Sequence, residues 1–188
     1  MKNWWWRIAS LLLLVVAVVG WWLFMPRSVP ETSAHEREAE AARLADPALV
    51  ARGAYLALAG DCAGCHTTRG GAAYACGRSL ATPFGEVPAP NITPDATTGI
   101  GNWSFADFWR ALHDGTGRDG QPLYPVFSYT SFTRVTRDDA FAIFAYLKSL
   151  PAVNQPDRAL GLDFPYNVRG GLNAWRALYF TPGEYQPD

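Results

Sequence analysis

Hydrophobic and polar positions divide this chain into blocks of different period. Residues 8–25 carry no charge and, as a helix, would span about 27 Å, close to the apolar thickness of a bilayer. Residues 33–45 are rich in Ala, Glu and Arg with one leucine, which predicts a solvated helical stalk. Ser33 and Glu36 have the spacing of a capping box. Asp46-Pro47 then opens a helix, with Asp as N-cap and Pro in the first turn, running to about Ala59. Gly53 in its middle costs about 1 kcal/mol against Ala, which a close helix crossing would explain. Ser104 and Asp107 repeat the capping-box spacing before Phe105, Phe108, Trp109 and Leu112 on one face. Thr136 and Asp139 cap a last helix that is apolar almost all round through Phe141, Ile143, Phe144, Tyr146 and Leu147, and Pro151 ends it. Residues 67–98 and 115–132 are rich in Gly, Pro, Thr and Ser and predict loop. No strand pattern or internal repeat emerges, so the expected fold class is all-α.

The N-terminal run is flanked by paired aromatic clusters, Trp4, Trp5 and Trp6 at one end and Trp21 and Trp22 at the other, as in an interfacial belt. Val19-Gly20-Trp21-Trp22 makes a poor cleavage site for a secretory signal. The run therefore reads as an uncleaved transmembrane helix. Lys2 and Arg7 on its N-terminal side put that end in the cytoplasm, against the smaller contrary signal of Arg27. The expected division is residues 1–27 as membrane anchor, 28–46 as stalk, 47–152 as the main domain and 153–188 as a C-terminal tail. The net charge is −1, and Lys148 is the only lysine beyond the anchor. Without a basic cluster, nucleic acid is not an expected partner.

Chemistry enters with Asp61-Cys62-Ala63-Gly64-Cys65-His66. C-x-x-C-H is the attachment signature of c-type haem: Cys62 and Cys65 would each bond a vinyl group, and His66 would ligate the iron. A zinc site would need more ligands than the remaining Cys76, His35 and His113 offer, and a thioredoxin-like reading lacks its βαβ context. The expected cofactor is one covalent haem c, with residues 67–98 wrapped around it. The Nδ1 proton of His66 should go to a carbonyl of that loop, near Pro83 or Pro88. Arg78, Arg110 and Arg118 are candidate partners for the propionates.

Residues 51–151 resemble one haem domain of the membrane-bound cytochrome c subunits that serve periplasmic dehydrogenases for alcohols, sugar acids, aldehydes and N-heterocycles. The resemblance rests on Arg52-Gly53-Ala54-Tyr55-Leu56, the haem motif, Thr82-Pro83-Phe84-Gly85, Asn91-Ile92-Thr93-Pro94-Asp95, Asp119-Gly120, Leu123-Tyr124-Pro125 and Ala145-Tyr146-Leu147. It implies the class I cytochrome c fold, with first and last helices crossing near Gly53. It also implies electron transfer, not catalysis, from a periplasmic dehydrogenase or second cytochrome c subunit to the respiratory chain, on the periplasmic face of the inner membrane. Residues 163–188 resemble the connector that precedes a further haem domain in multihaem relatives. The chain is thus expected to be a monohaem subunit, alone or beside a separate second haem polypeptide. Its apolar tail is expected to pack on its own domain, dock on a partner, or both.

One departure from the family pattern matters. Many relatives carry a ligating Met in a Tyr-Pro-x-Met-Pro-Tyr stretch, where this chain reads Tyr124-Pro125-Val126-Phe127-Ser128-Tyr129. Its methionines are Met1 and Met25, so His/Met ligation within the chain is excluded. His113 leads as distal iron ligand, because it shares a helix face with Phe105 and Trp109. The alternatives are a five-coordinate iron under Phe127, which would suit a small gas or peroxide, or a ligand from Cys76 or a neighbouring subunit. Cys76 is the odd cysteine, expected to be buried and inert near the haem.

Overall fold

A computed structural model describes residues 4–25 and 32–186. Lys2 and Arg27, used above for orientation, fall outside them, as do Pro187, Asp188 and the side chain of Trp22. Helix α1 (Trp4–Phe24) is long and apolar enough to cross a membrane, and its Leu11 to Leu14 side chains are exposed. Helix α2 (Ala34–Leu44) starts at a complete Ser33/Glu36 capping box. It is solvated, with no buried residue, and it also touches the main domain. Glu40 Oε1 accepts the Phe105 N–H at 2.9 Å, and the Arg43 guanidinium lies 4.2 Å from the centre of the Phe141 ring. Few apolar residues are needed for that docking, which is why the pattern missed it.

Helix α3 (Pro47–Ala59) is capped by Asp46, which accepts from Ala48 N at 2.9 Å. It crosses α7 (Arg137–Ser149), whose N-cap Thr136 accepts from Asp139 N. A Cβ on Gly53 would overlap the Ala142 carbonyl and come within 2.9 Å of Tyr146 Cβ. The crossing is therefore a backbone contact that only glycine permits. Its flank carries an ion pair from Arg52 Nε to Asp139 Oδ1 at 2.9 Å. Helix α5 (Phe105–Trp109), begun by the Ser104/Asp107 box, continues as a π-helical turn, Arg110–Asp114. Phe105 packs edge-on against Phe141 at 4.8 Å, and Phe108 lies 5.2 Å from Phe144. With Ala57, Tyr74, Ile100, Leu112, Ile143 and Leu147 these rings form the core.

The fold is mostly helical but not all-α. Strands β1 (Ser79–Thr82) and β2 (Gly85–Pro88) pair antiparallel around a Pro83-Phe84 turn, and β3 (Gly161–Leu162) adds to the free edge of β2. Thr82 Oγ1 accepts the Phe84 N–H at 3.1 Å, and Gly85 has φ +116°. Strands of four residues and two residues are too short to establish a period. A short helix, α6 (Tyr129–Phe132), also stands within the expected second loop.

The tail packs back on the domain. Arg158 donates to the Gly77 carbonyl. A 3₁₀ turn (Arg169–Gly171) leads to α8 (Leu172–Tyr179), whose Arg176 is 7% exposed and reaches Thr116 Oγ1 at 3.0 Å and the Asp114 carbonyl. Phe180 stacks edge-on against buried Tyr129 at 5.0 Å.

Candidate functional site

The motif forms a helix of its own, α4 (Cys62–His66). Gly60 ends α3, and Asp61 takes a left-handed φ of +51°, a conformation Asp tolerates better than most residues. That reversal turns α4 away from the α3 axis. Cys62 and Cys65 fall one turn apart on the same side of α4, both half-buried with free thiols. Burial pushes the Cys62 thiol up to about 11.

His66 Nδ1 lies 2.7 Å from the Pro90 carbonyl oxygen. With that carbonyl as acceptor, Nδ1 carries the proton and Nε2 keeps its lone pair. Burial, the largest influence, lowers the His66 pKa, against the opposing effect of the Pro90 contact. The acceptor belongs to the predicted loop but is neither Pro83 nor Pro88. The β1–β2 hairpin and an Ala75–Asn91 bridge fold the loop back by a few more residues. The returning chain presses on the motif so closely that a Cβ on Gly77 would overlap the Cys65 carbonyl.

Asn91, 3% exposed, fixes this loop. Its Nδ2 donates to Thr98 Oγ1 at 2.9 Å and to the Val153 carbonyl at 2.8 Å; its Oδ1 accepts from Thr93 N at 2.9 Å. Its N–H donates to Asp157 Oδ1 at 2.7 Å. In the sequence Asn91 stands out only as one residue of a matching stretch. A buried amide with every group paired leaves no periodic trace.

The other candidates divide between the motif and elsewhere. Phe132 sits beside the motif: a Cβ on Gly60 would meet Phe132 Cε1 at 3.4 Å and Cys62 Sγ at 3.7 Å. The Phe127 ring lies 5.7 Å from that of Phe132. The His113 ring stacks on Trp109 at 4.6 Å and 16°, and its Nδ1 is 2.8 Å from Asp114 Oδ1. Arg110 pairs with Asp107, and Arg118 Nε is 3.8 Å from the same carboxylate. Arg78 is exposed. Cys76 is 7% exposed, with φ +69°. Its Sγ lies 3.4 Å from Asp157 Oδ1 and 3.5 Å from the carbonyls of Gln155 and Pro156.

Residues 50–151 match the family model described as Cytochrome c. The chain belongs to the cytochrome c family. Among similar proteins, a nicotinate dehydrogenase subunit of Pseudomonas putida is 50% identical over 141 residues, covering 75% of this chain and 12% of that protein. The cytochrome c subunit of quinone alcohol dehydrogenase from Gluconacetobacter polyoxogenes is 41% identical, covering 76% of this chain and 31% of that one. The gluconate 2-dehydrogenase cytochrome c subunit of Pantoea cypripedii is also 41% identical, covering 72% and 31%. The chain thus spans about an eighth to a third of the length of these relatives.

Membership of the cytochrome c family implies covalently bound haem c, and the residues fit that group. Two thiols and one imidazole with a free Nε2 are the donor set it requires. Cys62, Ala63, Ile92, Phe127 and Phe132 are partly buried apolar side chains packed against the core. Among the described residues, Arg110 Nε and Tyr124 Oη are buried without a hydrogen-bond partner, and both are donors of the kind a buried carboxylate needs.

Proposed function

We propose that this chain is the electron-transfer subunit of a periplasmic dehydrogenase complex, relaying electrons through a single haem c toward the respiratory chain. When bound, haem c supplies a one-electron iron couple. Cys62 and Cys65 would hold it as thioethers, and His66 Nε2 would ligate its iron. The hydrogen bond from His66 Nδ1 to Pro90 O carries this reading, because it fixes both the tautomer and the plane of the ring. Phe127, Phe132 and Ile92 exclude water, which keeps charge transfer from coupling to large solvent rearrangement.

The relatives named as subunits of nicotinate, alcohol and gluconate dehydrogenases support a dehydrogenase partner. A second cytochrome c subunit would serve the same relay. Residues 1–27 act as a single-pass inner-membrane anchor, 28–46 as the stalk, and 47–152 as a class I cytochrome c domain in the periplasm, followed by the tail 153–188. The apolar length of α1 supports the anchor.

Two arrangements suit the far side of the iron. His113 is one candidate, because Asp114 on Nδ1 leaves Nε2 free to ligate. The cluster of Phe127 and Phe132 beside Cys62 favours a five-coordinate iron covered by an aromatic ring, open to a small gas or peroxide.

The test of attachment is haem staining after denaturing electrophoresis of the full chain made in a haem-attaching host. The wild type should stain with one haem per chain, and the Cys62→Ala plus Cys65→Ala variant should not. An unstained wild type overturns the reading.

A further inference from the structure

Helix α8 turns its charge inward and its apolar side outward. Arg176, its one charged residue, is buried on Thr116 and Asp114, and Asn173 is also partnered. Ala174, Ala177 and Leu178 stand at the i, i+3, i+4 spacing of one face, which lies away from Arg176. Half-buried Trp175 and exposed Tyr179 lie next to each other beyond Leu178, their rings 6.0 Å apart. Leu178 is 74% exposed and Tyr179 70%. A surface helix ordinarily shows the reverse arrangement.

What covers the face is indicated by its neighbour. Helix α1 touches both α8 and the 3₁₀ turn before it. Gly170 passes against the ring of Phe24, the last residue of α1, where a Cβ would meet Phe24 Cε1 at 2.9 Å. Helix α8 thus begins two residues from the contact that marks where the apolar span ends. At that depth a bilayer offers headgroups and the first acyl carbons, the environment that Trp and Tyr rings favour. The helix carries no acidic side chain to repel anionic lipid.

We propose that the exposed Ala177, Leu178 and Tyr179 surface of α8 lies in the lipid–water interface beside α1, clamping the haem domain at a fixed height over the membrane. This rests on the reading of α1 as a membrane anchor. Tyr179 places its hydroxyl at headgroup level, while Leu178 enters the acyl boundary. Held this way, the domain would not swing freely on its stalk, and its orientation toward membrane-bound electron partners would be set by the tail.

The test uses the full haem-loaded chain in phosphatidylethanolamine/phosphatidylglycerol vesicles. An environment-sensitive thiol label is placed separately at Leu178→Cys, at Leu13→Cys within α1, and at Tyr55→Cys, an exposed site on α3. Cys76 is buried, and Cys62 and Cys65 are bonded to haem. The Leu178 label should lose quenching by aqueous iodide relative to Tyr55 and gain quenching by lipids brominated on the acyl chain. Iodide quenching equal to that at Tyr55, with the Leu13 label in the acyl region, overturns the inference and leaves the anchor standing. A Leu13 label outside the acyl region overturns the anchor reading itself, and the inference with it. Shielding of Leu178 that arises only when a dehydrogenase subunit is added assigns the face to protein and also overturns the inference.

Discussion

The carbonyl of Pro90 and Nδ1 of His66 meet at 2.7 Å across 24 residues of chain. The contact is backbone to side chain, so its precision depends on whatever fixes the loop. That is the role of Asn91, whose amide joins Thr93, Thr98 and Val153. Asn91→Ala leaves the Thr93 N–H without its partner and the Val153 carbonyl with only Thr93 Oγ1 at 3.3 Å. The expected cost is about 3 kcal/mol, as for buried polar groups left unmade. Denaturant unfolding followed by haem absorbance measures it. The reduction potential should shift as well, because a freer His66 ring is a weaker donor; a variant of unchanged stability and potential would remove Asn91 from this role.

Gly53 tests the helix crossing. A methyl group there overlaps the Ala142 carbonyl, and backbone cannot yield as a flexible side chain can. Gly53→Ala gains helix propensity of about 1 kcal/mol, so an exposed position would be stabilised. Here the α3–α7 contact must open, and overpacking of about 1–3 kcal/mol or more should dominate. A lower denaturation midpoint with unchanged helix content is the expected result.

Those two positions show what could be read without a structure. Gly53 was legible because a glycine inside a strong helix pattern demands a reason, and the caps at Ser33, Asp46, Ser104 and Thr136 were legible because capping is local chemistry. The C-x-x-C-H spacing was legible because attachment requires it. Pro90 was not, since a backbone acceptor has no residue signature. The β1–β2–β3 sheet was hidden by its brevity. The docking of α2 was hidden because it uses a hydrogen bond and a cation–ring contact where an apolar stripe would have been visible. Arg176 was missed because a lone arginine in a tail ordinarily points to water.

Arg176 is the pin of that tail. Its guanidinium reaches Thr116 Oγ1 and the Asp114 carbonyl under nearly complete burial. Arg176→Ala should cost about 2 kcal/mol or more in lost charge-assisted hydrogen bonds, felt locally. Limited proteolysis should cut within residues 163–186 much faster than in the wild type, while the haem spectrum stays unchanged. Loss of the haem spectrum in this variant would instead make the tail integral to the core.

Cys76 gives a pH dependence with a definite sign. Burial, with Asp157 beside it, pushes its thiol from an ordinary 9.0 up to about 11. In that window the unfolded chain has released the proton and the folded chain retains it. The folded state then binds more protons, and stability falls as pH rises. Below the ordinary value both states hold the proton, so the full stability is present and does not vary with pH through this group. Cys76→Ala should therefore flatten part of the decline in unfolding free energy between pH 9 and 11. The wild-type thiol should also resist alkylation at neutral pH until the protein is unfolded.

The iron's far side separates His113 from Phe127. His113 has Nε2 free and Nδ1 on Asp114, as a ligating imidazole would, but it is also stacked on Trp109. If it ligates, the wild-type protein should be low-spin, lack the far-red band of methionine ligation, and resist carbon monoxide when reduced. Its potential should lie below that of His/Met relatives, since methionine raises the potential. His113→Ala should then turn the spectrum high-spin and open it to carbon monoxide. Asp114→Asn should raise the potential without changing the spin state, because the ring would keep its ligand atom and lose only the charged partner that makes it a stronger donor. If Phe127 alone covers the iron, the wild type should already be high-spin and bind carbon monoxide. Phe127→Met should then restore the missing ligand, giving a low-spin spectrum with the far-red band, whereas His113→Ala should change neither spectrum nor gas binding.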